Sequence, residues 1–190
     1  MTDSRPAPVR IHDLVAPEYP AEIAAAFDAL TPLAEALEWT PDAILGQAAR
    51  ETGLDDFGDE LHLAPLSVLA PAMIGEGRLS TLGQLSNHAT LVGHARQKLL
   101  LTDLLKRHPE IHDVDIRRPV VIAGQGRTGT THLHNLMASD PTFRSMPYWE
   151  SLEPVPPLVE QGVDHGPDPT DDPRYRRCAE ALAGLNTALP

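Results

Sequence analysis

Four consecutive apolar residues, Val120-Val121-Ile122-Ala123, run directly into Gly124-Gln125-Gly126-Arg127-Thr128-Gly129-Thr130-Thr131. A helical pattern then takes over from Thr130 to Ser139, with Leu133, Leu136 and Met137 on one face, and Asp140-Pro141 stops it. A short apolar run rich in β-branched residues predicts a buried parallel strand. Strand, glycine-rich turn and helix in that order predict the opening of an α/β sheet. Only one further segment, Phe143-Arg144-Ser145-Met146, reads as a second strand, so the sheet is expected to be incomplete.

Upstream the texture is helical. Ile23, Phe27 and Leu30 share a face, and Leu33 and Leu37 continue the spacing beyond Pro32. Thr40-Pro41-Asp42 predicts an N-cap and first turn, with the helix running to Thr52 and stopping at Gly53. Residues 61–75 predict another helix, broken by Gly75-Glu76-Gly77. The longest signal runs from Thr81 to His108, with Leu82, Leu85, Ala89, Val92, Ala95 and Leu99 at threes and fours. A last helix is expected over 174–188, after a proline-rich loop from Glu153 to Asp172. The expected organisation is therefore a mainly α-helical region over residues 1–116 and the start of an α/β domain over 117–190.

Composition narrows the function classes. Aromatic residues are 4% of the chain, so its core must rest on Leu, Ala, Val and Ile. A formal charge of −12 argues against general nucleic-acid binding. A small anion remains acceptable, because donors at one loop outweigh distant charges that salt screens. The single cysteine, Cys178, predicts a reducing, cytoplasmic setting. The N-terminus carries no secretory pattern and no stretch approaches a membrane span. Asp55, Asp56, Asp59 and Glu60 lack the alternating ligands of a calcium loop, and His88, His94 and His108 share no ligand spacing. No metal is expected.

The glycine-rich segment lies where phosphate is easiest to hold. Its glycines let the backbone approach a ligand, and first-turn N–H groups of the helix point at the anion. Arg127 supplies a permanent charge and a planar fork of donors, and Thr130 and Thr131 add hydroxyls. Gly124 and Gly129 have the interval of the nucleotide-triphosphatase loop, but Thr130 stands where that loop needs lysine. A dinucleotide site is disfavoured because no acidic strand end is found about 20 residues on.

A cation, a hydroxyl residue, Gly and Thr-Thr directly after an apolar strand resemble the 5′-phosphosulfate loop of sulfotransferases, which use 3′-phosphoadenosine 5′-phosphosulfate (PAPS). Thr52–Gly58 and Leu104–Ile111 resemble the helical lead-in of a bacterial, actinobacterial-type branch of that family. Leu136–Pro141, Trp149-Glu150 and Pro154–Pro157 resemble the segments downstream of the loop in that branch, so the similarity covers roughly residues 40 to 180.

The resemblance implies a P-loop-like α/β fold and a sulfuryl transfer to a hydroxyl acceptor, whether small molecule, lipid or glycan. It matches Arg127 to the cation that contacts the phosphosulfate. It places Gly126, Thr128, Gly129, Thr130 and Thr131 around the 5′-phosphate. Gly126 departs from the pattern, because relatives usually carry proline there. Glu150 is the candidate general base for the acceptor hydroxyl. No match to the family's 3′-phosphate residues is found before Pro190, which reads as an N-terminal portion or a truncated relative. A P-loop nucleotide kinase or hydrolase is the second reading, and a non-catalytic relative is the third. Oligomerisation is compatible with each.

Overall fold

The fold is that of a computed structural model, which describes residues 19–188, with side chains through residue 184. Most of the proline-rich lead-in expected over residues 1–20 lies outside the described residues. Four helices come first: α1 (Ala21–Glu35), α2 (Pro41–Thr52), α3 (Leu63–Gly75) and α4 (Thr81–Arg107). The α2 boundaries follow from local chemistry. Thr40 Oγ1 accepts the Ala43 amide at 3.2 Å, Pro41 occupies the first turn, and Gly53 closes the helix at φ 72°. Ser80 caps α4 in the same way, through the Gly83 amide.

The core lies where α2 crosses α4. Ile44 and Ala48 of α2 meet Val92, Ala95 and Leu99 of α4, and Ala70 of α3 completes the cluster. The buried stripe of α4 is His88, Val92, Ala95, Leu99 and Leu100, so the expected face is rotated at its start, where Leu82 and Ala89 are exposed. His88 can enter because its polar edge is answered: Nε2 lies 3.2 Å from the Glu38 carbonyl oxygen, and Trp39 packs edge-on at 5.3 Å. In α1 the buried residue is Ala34, and the neighbouring Leu33 faces outward, with Pro32 accommodated inside the helix.

The acidic turn after α2 is more than a solvated loop. Asp56 accepts from the Gly58 amide and from Lys106, and Asp59 accepts from the Leu61 amide and, at 3.1 Å, from Lys98. Both carboxylates are held below the ordinary range, first by the lysine and then by the amide. The turn is thereby fastened along α4, with Phe57 packed against the core.

After a 3₁₀ turn at Pro109–Asp113 the chain reaches the expected strand. No strand forms among the described residues. A parallel strand needs a neighbour about 4.8 Å away to take its N–H and C=O groups, and none flanks Val120–Ala123. Val121 is 82% exposed and Val120 57%. Phe143–Met146, the other expected strand, is unpaired for the same reason. The two segments and the helix between them, α5 (Thr130–Ala138), share an open cleft of about 310 Å³ lined by Val120, Ile122, Met137 and Phe143. The α/β sheet anticipated over 117–190 is thus not seen among the described residues, whose architecture is helical.

Two helices complete the described chain: α6 (Tyr148–Leu152) and α7 (Pro173–Ala188). The proline-rich segment between them carries 3₁₀ turns at Leu158–Glu160 and Pro169–Asp171. It is fixed to the helical region by Gln97 of α4, which donates to the Val155 carbonyl at 3.2 Å and accepts its amide at 2.9 Å. That two-point clasp lets Val155 be buried without orphaning its backbone.

Arginines tie α7 down. Arg177 reaches both Glu153 and Glu160, and Arg174 makes a bidentate pair with Asp172. Arg177 holds Glu160 below its ordinary pKa of 4.5, and Arg174 holds Asp172 below 3.8. Depressed carboxylate pKa values stabilise the fold above the unfolded values, and that contribution is lost as pH falls through the folded ones. Protection factors for amide hydrogen exchange in α7 should therefore fall below about pH 4 while those in α4 hold. Simultaneous loss of both would contradict the assignment.

Candidate functional site

The loop from Gly124 to Thr131 is shaped by three backbone features. Gly129 stands at φ 91° as the N-cap of α5, and its carbonyl accepts the Leu133 amide at 3.0 Å. The amides of Thr130, Thr131 and His132 then have no carbonyl behind them, which is the ordinary state of a helix N-terminus and the basis of its pull on anions. Arg127 also takes a left-handed conformation, φ 67°, which is uncommon outside glycine and costs on the order of 1 kcal/mol. Gly124 is needed for space: a Cβ there would lie 2.9 Å from Thr130 Cγ2 and 3.2 Å from Thr128 Oγ1.

Thr128 closes the turn by donating its hydroxyl to the Gln125 carbonyl at 2.7 Å. That donor is therefore spent within the loop. Arg127, Gly129, Thr130 and Thr131 line an open cleft of about 240 Å³. The Arg127 guanidinium is exposed and makes no ion pair among the described residues. In a chain of net charge −12, an uncommitted arginine beside three uncommitted amides is a local reversal of sign. It can hold a tetrahedral anion through convergent N–H donors.

The structure brings Arg127, Gly129, Thr130 and Thr131 to one cleft, with Gly126 just before them on the same loop. Glu150 does not line it. Glu150 sits on α6, where both carboxylate oxygens accept from Arg144 Nη2 at 3.0 and 2.8 Å. His132 and His134 diverge: His132 is exposed, and His134 lines a separate cleft with Val120 and Val121. The described residues hold no cluster of three or more metal-ligating side chains. No helix among them is long and apolar enough to cross a membrane. Cys178 is free and half-buried.

The groups around Glu150 escape sequence reasoning. Arg144 lies six residues earlier on an extended segment, and Arg174 lies on another helix, so no periodicity links them to it. Arg174 stacks over Trp149 at 4.8 Å and donates to the Glu153 carbonyl at 3.0 Å.

Two comparisons with known proteins give a match. Residues 119–186 match the sulfotransferase family. The fold is similar to the crystal structure of sulfotransferase STF1 from Mycobacterium tuberculosis H37Rv, with a TM-score of 0.64 and 33% identity. The match covers 78% of this chain and 40% of that one, so the chain spans about two fifths of that protein's length. No curated protein matches the chain significantly.

Proposed function

We propose that the chain is a portion of a sulfotransferase and serves sulfuryl transfer from PAPS to a hydroxyl acceptor, a reading supported by the family match over residues 119–186 and the likeness to a sulfotransferase structure. The observation that carries this reading is the unpaired Arg127 beside the open N-terminus of α5, inside the family-matched segment. The residues present suit the donor's 5′ end. Gly124 leaves space, the amides after Gly129 and the hydroxyls of Thr130 and Thr131 supply donors, and Arg127 supplies charge. Thr128 contributes through its amide, since its hydroxyl is taken.

When bound, the donor supplies an activated sulfuryl group on a phosphate leaving group. Arg127 and the loop amides would hold that phosphate and, without rearranging, favour the negative charge it carries as a leaving group. Glu150 is the proposed base that takes the acceptor's proton. Chain geometry supports its return to the loop. Nine residues of α5 span about 13 Å, and four extended residues from Phe143 to Met146 span a similar length. A chain that left the loop along α5 and ran back antiparallel to it would return level with the loop as α6 begins. Arg144 must release at least one oxygen of Glu150 for this role. The acceptor is a small-molecule, lipid or glycan hydroxyl, and the lone cysteine suits a cytoplasmic setting.

Calorimetric titration with adenosine 3′,5′-bisphosphate, the donor's product, tests the loop. The intact chain should bind it, and Arg127→Ala should weaken binding at least tenfold, about 1.4 kcal/mol. Equal binding by both forms would sink the assignment.

A further inference from the structure

Helix α6 is one and a half turns long, too short to hold its own shape in water. Its order must come from outside, and one side chain supplies contacts at both of its ends. Arg174 is largely buried, with its side chain 13% exposed. Its guanidinium stacks 4.8 Å above Trp149, in the first turn of α6. Through Nη1 it donates to the carbonyl of Glu153, the C-cap residue, at 3.0 Å. Its remaining donors grip Asp172, Nε to Oδ1 at 3.1 Å and Nη2 to Oδ2 at 2.7 Å, so the guanidinium itself is held in place. Tyr175 adds an edge-on ring contact to Trp149 at 6.5 Å.

Glu150 comes directly after Trp149, and its side chain is 21% exposed. The charged groups facing α6 are Arg144 on the Glu150 carboxylate, Arg174 on the indole and the Glu153 carbonyl, and Arg177 on the Glu153 carboxylate. We propose that Arg174 is a positioning residue: it clamps α6 at Trp149 and Glu153 and so sets where the Glu150 carboxylate stands relative to the Arg127 loop. A lysine would keep the charge and one bond to Asp172. It would lose the planar fork that stacks and donates at the same time.

The inference rests on the proposed placement of Glu150 near the donor site, and a double-mutant cycle on ligand binding separates the two. A carboxylate near the loop opposes an anion, so Glu150→Gln should tighten adenosine 3′,5′-bisphosphate binding by about fourfold, a charge effect of ordinary size at a partly exposed site. In the Arg174→Lys and Arg174→Met backgrounds the same change should alter binding less than about 1.5-fold, because the carboxylate no longer has a fixed place. A purely structural Arg174 would shift affinity equally with and without Glu150, and that additivity would overturn the proposal. No effect of Glu150→Gln in any background would overturn it too, by removing Glu150 from the site. Failure of the intact chain to distinguish Arg127→Ala would instead strike the loop assignment. Arg174→Lys retains a bond to Asp172, so it keeps the cycle readable if Arg174→Met does not fold.

Discussion

Leu99→Ala is expected to destabilise the chain by about 4 kcal/mol, near the upper end of the usual range for buried leucines. Leu99 is fully buried in a cluster whose other members are Ile44, Ala48, Ala70, Val92 and Ala95. The cost of such a truncation depends on how far neighbours can move into the space. Alanines have no side-chain torsion with which to do so, and Val92 is stiff at χ1. The cavity should therefore persist. Thermal denaturation followed by circular dichroism should show a drop in Tm of roughly 8–16 °C for a chain of this size. A change under about 1 kcal/mol would mean that the α2–α4 crossing is not the contact that holds the helical region together. Ligand affinity measured well below the new Tm should stay unchanged, because the loop shares no side chain with this cluster.

That separation also explains which parts of the molecule are legible in the sequence. The α2 and α4 boundaries rest on local chemistry, Thr40 and Ser80 as caps and Gly53 as stop, and local chemistry is readable residue by residue. Leu99, Val92 and Ala95 are also readable, because burial repeats with the helical period. The core place of His88 is not, since its burial depends on Glu38 and Trp39, which arrive from another part of the chain. Val120–Ala123 shows the opposite failure. Its β-branched run has strand character, yet strand formation is a property of a pair, and the described residues supply no partner. The loop itself is legible because glycines, a cation and hydroxyls beside a helix start act through their own backbone. Its finer chemistry is not: that Thr128 spends its hydroxyl on Gln125 comes from a turn geometry that spacing does not specify. The clasp around α6 joins Arg144 to Glu150 and Arg174 to Trp149, Glu153 and Asp172 by arginine reach, which leaves no pattern to read.

Gly129→Val should abolish most donor-site affinity while leaving the helical core standing. Residue 129 sits at φ 91°, where a β-branched side chain is a severe outlier, and it forms the joint between the loop and the first free amides of α5. A valine there must either carry strain of about 2 kcal/mol or leave the left-handed region and swing those amides off the anion. Either way the binding-competent conformation becomes rare, and apparent affinity falls by the same factor. A penalty of about 2 kcal/mol corresponds to about a 30-fold loss in binding of adenosine 3′,5′-bisphosphate. The substitution series orders the effect. Asparagine tolerates the left-handed region and should retain most affinity, alanine less, and valine least. Size alone predicts no such ranking, since a Cβ at 129 meets nothing within 4 Å. Because the strain is confined to an exposed loop, Tm should fall far less than for Leu99→Ala. Wild-type affinity in the valine form would show that the anion is held elsewhere, and an asparagine form as weak as valine would show that something other than backbone conformation makes glycine necessary.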